Sequence, residues 1–376
     1  MRAVVVVDRQ FARAEAAMLS RLEIGLVDEG YRVVHAVPVA TMSSEPTGVY
    51  STSVGYVDTG LPLSLRSRVS GLVETLKALA EKQGERGPVA VVHACGKRAW
   101  PVGMELARQT GTAAVLELER AALIGAAATL TPAETGGGPP EGQVRPVFCV
   151  PDDSLRAEAL RRVPRARTVL TRWGVHVPAG RHARTGAPAL VMLAERGDSR
   201  CAVAALEAIA GVAKDAPDLM LFLQVEDGWT AALWKVARRL GLLERLSMTP
   251  ELEWRREPAL QMDALILPDA CGVSHSLTLD CMAAGMAVLA SPDPLVETLI
   301  DGTTARLVPA PTKVEWEKAI RETVLDAERW SLLGATAREY VRANRTVSGH
   351  IGSVVEAYAQ AQQLRAADAS PRRAVA

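Results

Sequence analysis

Gly272-Val273-Ser274-His275-Ser276 follows the apolar run Leu265–Leu267 and precedes the helical pattern that carries Asp280. A serine on a strand-to-helix turn can be a nucleophile, but that elbow needs glycine two residues beyond the serine, and Ser276 stands there. The segment therefore disfavours hydrolase chemistry, and His275 reads either as a solvent-exposed loop histidine or as a donor to a phosphate. His93, followed by Cys95 and Gly96, reads as a polar residue at a strand end. Asp152-Asp153-Ser154 reads as a helix start with acidic first-turn residues rather than a metal site. The run Arg156, Arg161, Arg162, Arg165 and Arg167 reads as a solvated face, with contact to an anionic acceptor or a lipid surface as the sharper alternative. The five cysteines are scattered with no CxxC pair, which excludes a disulfide framework and a zinc knuckle.

These groups are positioned by alternating strands and helices. Val4–Val7 is a β-branched run of the kind buried on both faces of a parallel sheet. A helix follows over 11–29, stopped at Gly30, and then a strand over 31–37. A strand, helix and strand in that span form a βαβ unit, which demands a parallel sheet. The alternation continues with helix 67–82, strand 88–93, helix 99–109, and strands 112–118, 145–150 and 167–170. The stretches 41–65 and 131–142 read as loops. Trp173 to Pro188, rich in Gly and Pro, reads as the domain break. A second series follows: strands 189–194, 219–225, a short one near 245, 263–267 and 287–290, with helices 199–213, 229–240, 276–285, 293–300, 313–326, 328–343 and 348–363. The expected organisation is an α/β chain of two doubly wound domains facing across a cleft. Its parts are 1–178, 179–345, a crossing helix 346–364 and a disordered tail 365–376.

The stretch LILPDACGVSHSLTLDCMAAGMAVLASPDPLVETLIDGTTARL, residues 265–307, resembles the nucleotide-sugar site of family 4 retaining glycosyltransferases, which have the GT-B fold of two Rossmann-like domains. Leu279-Asp280-Cys281-Met282-Ala283-Ala284-Gly285 matches the family's central helix motif, and Ile300-Asp301-Gly302 with Leu307-Val308 matches its following turn. Trp173-Gly174-Val175-His176 sits where the family has its domain junction. The resemblance implies transfer of a sugar from a nucleotide-sugar donor, with retention of configuration and without a metal or other cofactor. It implies donor contacts from Arg196, Arg200, Ser274, His275, Ser276 and Asp280, with Arg200 on the diphosphate and Asp280 on the ribose. A helix N-terminus with its unpaired N–H groups suits a diphosphate.

The chain departs from the family pattern in four places. The first acidic residue of the motif is replaced by Gly272, and the glycine-rich loop after the first strand by Arg9-Gln10-Phe11-Ala12-Arg13-Ala14. The N-terminal histidine falls near Glu119, and a Gly-x-Gly becomes Glu226-Asp227-Gly228. These changes leave the catalytic residues unassigned and sustain an alternative, a catalytically degenerate GT-B protein that binds or scaffolds. The acceptor, whether sugar, lipid-linked or small molecule, is not legible. Lys plus Arg equals Asp plus Glu at 43 each, which argues against nucleic acid as a partner. The start reaches a charge after five apolar residues, too few for a signal peptide, and no apolar run is long enough to span a bilayer. A cytoplasmic location is expected.

Overall fold

The computed structural model describes residues 1–39, 52–58, 64–84, 88–131, 144–180, 186–194, 199–225, 230–249 and 260–369. The chain forms two compact units, Met1–Trp173 with Val347–Ala376, and Gly174–Thr346.

In the first unit the chain runs β1 (Arg2–Val7), α1 (Arg9–Ala14), α2 (Ala16–Asp28), β2 (Arg32–Pro38), β3 (Thr52–Tyr56) and α3 (Leu65–Lys82). It continues through β4 (Val89–Cys95), α4 (Ala99–Thr110), β5 (Ala113–Glu117), α5 (Ile124–Leu130), β6 (Val147–Val150), α6 (Asp153–Arg162) and β7 (Arg167–Leu170). The seven strands are all parallel in the order β3-β2-β1-β4-β5-β6-β7. The order reverses between β1 and β4, and in doubly wound sheets ligands gather outside the carboxyl ends at that switch point. β1 is buried at every position, as a strand covered on both faces must be.

The second unit repeats the plan with β8 (Ala189–Ala194), α7 (Ser199–Val212), β9 (Met220–Val225), α8 (Thr230–Arg239), β10 (Leu246–Thr249), β11 (Ala264–Leu267), α9 (Ser276–Ala284), β12 (Ala287–Ala290) and β13 (Arg306–Leu307). Its parallel sheet has the order β10-β9-β8-β11-β12-β13, with the switch point between β8 and β11. Leu190, Met192, Ile209, Leu221, Ile266, Leu289 and Trp316 are fully buried in its core. α10 (Lys313–Ile320) runs through a π-helical turn, Arg321–Leu325, toward α11 (Ala327–Asn344). Arg338 on α11 donates to the carbonyls of Pro178 and Gly180, and Val175 N–H to that of Arg345, so α11 holds the unit's first residues.

α12 (Val347–Ala369) returns to the first unit and packs on α2 and on β4 through β7. Gly25 of α2 makes room for it: a Cβ there would lie 2.3 Å from Ile351 Cγ1. The helix extends through Ala369, past the expected start of the tail at 365. Arg365 Nε donates to Gly111 O at 3.2 Å, and Asp368 pairs with Arg145, and these two contacts anchor its last turn. Residues 370–376 lie outside the described residues.

Other expectations are also corrected. The helix over 11–29 is two helices, broken at Glu15 (φ −127°, ψ 28°), whose side chain is buried. Within the supposed loop 41–65 lies strand β3, whose Val54 and Tyr56 are buried and whose Tyr56 hydroxyl donates to Val7 O. No helix forms over 293–300. Pro292 and Pro294 offer no N–H, the Asp293 carboxylate bonds backbone elsewhere, and the Thr304 hydroxyl accepts from Ile300 N–H at 2.8 Å.

Candidate functional site

In the second unit, register pairing of β8 with β11 sets their carboxyl ends side by side. Two connections leave those ends: one into α7, the other through 268–275 into α9. All nine residues of α9 are buried. Ser276, Thr278 and Asp280 are therefore polar groups inside a helix with no exposed face. Asp280 lies one turn in from the N-terminus and is only 7% exposed. His275 holds the N-cap position with extended backbone (φ −118°, ψ 128°), yet its side chain makes no capping hydrogen bond. By contrast, Ser64, Thr312 and Asp326 cap their helices with side-chain oxygens. α9 starts with its N-terminus at this strand end, and a helix N-terminus suits an anionic ligand.

The loop entering α9 is fixed from outside. Gly272 has φ +60°, a conformation that side chains with a Cβ disfavour. Its N–H donates to Asp293 Oδ2 at 2.6 Å, while Leu295 N–H donates to Asp293 Oδ1 at 3.0 Å. Ser291 Oγ donates to Pro268 O at 2.6 Å. The segment after β12 therefore staples the segment after β11. The carboxylate missing from position 272 has a spatial neighbour in Asp293, bound to the backbone of that residue. The sequence reading did not identify Asp293, because the clamp spans 21 residues and joins two loops.

Of the expected donor contacts, Ser274, His275, Ser276 and Asp280 are brought together at the entry to α9, with Ser274 and Ser276 buried. Arg200 is exposed, in the first turn of α7 at the neighbouring strand end. Arg196 and Glu226 lie outside the described residues.

The first unit's switch point is built differently. Asp8, at the end of β1, accepts from Phe11 N–H at 2.8 Å and so caps α1, and it also accepts from Arg98 N–H at 2.9 Å. Gly96 packs against it so closely that a Cβ would lie 2.4 Å from Asp8 Oδ2. The place where a glycine-rich loop admits phosphate is thus filled by the protein's own carboxylate, whose pKa burial raises. Beyond β5, Glu119 is buried beside Arg120 (2.9 Å), and burial pushes its carboxyl up to about 7.

His93, read as a polar residue at a strand end, belongs to the interior of the first unit. It is fully buried, with Nδ1 3.0 Å from the Tyr358 hydroxyl and Nε2 3.1 Å from Glu117 Oε2. Glu117 Oε1 accepts from Trp173 Nε1 at 2.7 Å. The arginine run on α6 is a paired, exposed face: Arg156 bonds Asp153, and Arg161 and Arg162 share Glu158. Asp152 takes the N-cap position of α6 as expected, without a side-chain capping bond.

No protein-family model and no curated protein sequence matches the chain. Solved structures do match along nearly its whole length. HepE of Anabaena, solved with UDP and glucose, aligns at 11% identity with a TM-score of 0.70, covering 96% of this chain and 100% of that one. A sucrose-phosphate synthase from Thermosynechococcus elongatus aligns at 16% identity and TM-score 0.67, covering 96% and 99%. A glycosyltransferase from Rickettsia africae aligns at 10% identity and TM-score 0.66, covering 96% and 98%. The chain has the GT-B fold of two Rossmann-like parallel-sheet domains. Among the described residues no helix is long and apolar enough to cross a membrane.

Proposed function

We propose that the chain is a glycosyltransferase that moves a sugar from a nucleotide-sugar donor, with retention of configuration and without a catalytic metal. The observation that carries this reading is the second unit's switch point. There the connection from β11 ends at the N-terminus of α9, with Ser274, His275 and Ser276 at its start and Asp280 buried one turn in. In this reading the N–H groups at the start of α9, with Ser274, His275 and Ser276, hold the diphosphate. Arg200, joined by Arg196, neutralises charge on the leaving group, and Asp280 accepts from the ribose hydroxyls. HepE, of the same fold, was solved with UDP and with UDP-glucose, which favours a uridine diphosphate sugar as the donor. The first unit takes the acceptor. The test is release of UDP from UDP-glucose by the full chain, with the anomeric configuration of the product read by proton NMR. A β-configured product would reject retention, and no turnover with any common nucleotide sugar or acceptor class would reject transfer.

One observation favours a second reading, a GT-B protein that binds a nucleotide but no longer transfers sugar. Asp8 closes the first unit's switch point with its own carboxylate. On that reading UDP binds and no product forms.

A further inference from the structure

Residues two apart on a strand share a face, so His93 and Cys95 project from the same side of β4. Register pairing of β4 with β5 brings Glu117 beside them. Their ligand atoms, an imidazole nitrogen, a thiol sulfur and a carboxylate oxygen, all lie within 4.8 Å of one another, and all three residues are buried. We infer that His93, Cys95 and Glu117 form a binding site for a divalent ion of the zinc type, internal to the first unit.

Four observations carry this. First, the donor set fits: imidazole, thiolate and carboxylate are the three side-chain ligand types of zinc. Second, the spacing fits. Ligands on a tetrahedral zinc sit roughly 3.3–3.8 Å apart given bond lengths of about 2.0–2.3 Å; the three ligand atoms lie within 4.8 Å of one another, and His93 Nε2 and Glu117 Oε2, 3.1 Å apart, need to open only slightly to admit the ion. Third, the outer groups are in place. The Tyr358 hydroxyl at His93 Nδ1 and the Trp173 indole at Glu117 Oε1 orient both ligands from behind. They leave Nε2 and Oε2 facing each other at 3.1 Å, the arrangement by which second partners fix a ligand's tautomer and rotation. Fourth, the charge fits. A divalent ion with one thiolate, one carboxylate and a neutral imidazole sums to zero, so no net charge is buried.

Without an ion, His93 and Glu117 satisfy one another and Cys95 stays a thiol. On binding, the thiol proton leaves to solvent, the sulfur and Oε2 turn to the ion, and the bonds from Tyr358 and Trp173 persist. A water molecule takes the fourth position. The outer partners come from both segments of the first unit: Trp173 ends the first segment, and Tyr358 lies on the returning helix α12.

The test uses the full chain, stripped with a chelator, reconstituted with zinc chloride and freed of excess metal by gel filtration. Zinc retained in equimolar amount is expected, with a melting temperature about 5–10 °C above the stripped protein at zinc well above its Kd. The cobalt(II) form should show a sulfur-to-cobalt charge-transfer band in the near ultraviolet. Cys95→Ser should abolish that band and the zinc-dependent shift in melting temperature. Folded wild type that retains no zinc overturns the inference, as does a cobalt form lacking the sulfur band. Should Cys95→Ser fail to fold, the wild-type cobalt spectrum decides alone. No nucleotide enters these measurements, so they stand apart from the transferase reading.

Discussion

Replacing Asp293 by alanine perturbs the candidate donor site without touching any residue expected to meet the ligand. The carboxylate accepts from Gly272 N–H at 2.6 Å and from Leu295 N–H at 3.0 Å, one oxygen for each donor. Hydrogen bonds to a charged acceptor are worth about 1.5–3 kcal/mol each. Both sites are only partly buried, so water recovers part of that, and a net loss of about 2 kcal/mol is the working figure. The loss falls on the loop ordering that aims the start of α9, because Gly272 at φ +60° has no conformational reason of its own to stay there. If binding UDP must restore that order, affinity falls about 10- to 30-fold, at tenfold per 1.4 kcal/mol. Asp293→Asn should keep one acceptor and set its amide against the other N–H, giving most of the same loss. Gly272→Ala strains the same turn by about 1–2 kcal/mol, so its effect on affinity should not add fully to that of Asp293→Ala. Calorimetric titration with UDP, alongside thermal melts to show folding, reads all three. Wild-type UDP affinity in folded Asp293→Ala would refute the clamp.

Arg200→Ala should weaken nucleoside diphosphate binding by about 1–3 kcal/mol, and unchanged affinity in the folded variant would remove Arg200 from the site. Gly96→Ala puts a Cβ 2.4 Å from the Asp8 carboxylate at φ +91°. It should lower the urea midpoint by the equivalent of about 2–4 kcal/mol, and a neutral effect would mean that Asp8 does not fill the switch point as described. Trp173→Phe leaves Glu117 Oε1 buried without its indole donor. The cost should be about 1–3 kcal/mol in chemical denaturation, and a neutral result would show that the bond contributes nothing to the first unit.

The periodicity of the sequence located β1, β2, β4 to β9, β11 and β12 because parallel strands buried on both faces leave apolar runs with little ambiguity. It missed β3, whose alternation is short and set among Ser, Thr and Gly, and which is held by Tyr56 reaching Val7 across the sheet. It read 293–300 as helix from its spacing, where two prolines and the clamp of Asp293 onto Gly272 impose turns. The motif around Asp280 was legible because a helix and its glycine stop are local. The burial of His93 was not: it depends on Tyr358, 265 residues away, landing over it on α12. The same holds for Asp8, whose partners at Gly96 and Arg98 become neighbours only when β4 pairs with β1.

The central claim, a nucleotide-sugar donor site in the second unit, is tested most directly by calorimetric titration of the full chain with UDP, GDP and ADP, each alone and then with its sugar attached. The proposed function predicts binding of UDP above the other two, with a heat that changes when glucose is attached. Absence of binding by all three, from protein shown to be folded, would contradict the account and leave α9 a buried helix without a ligand.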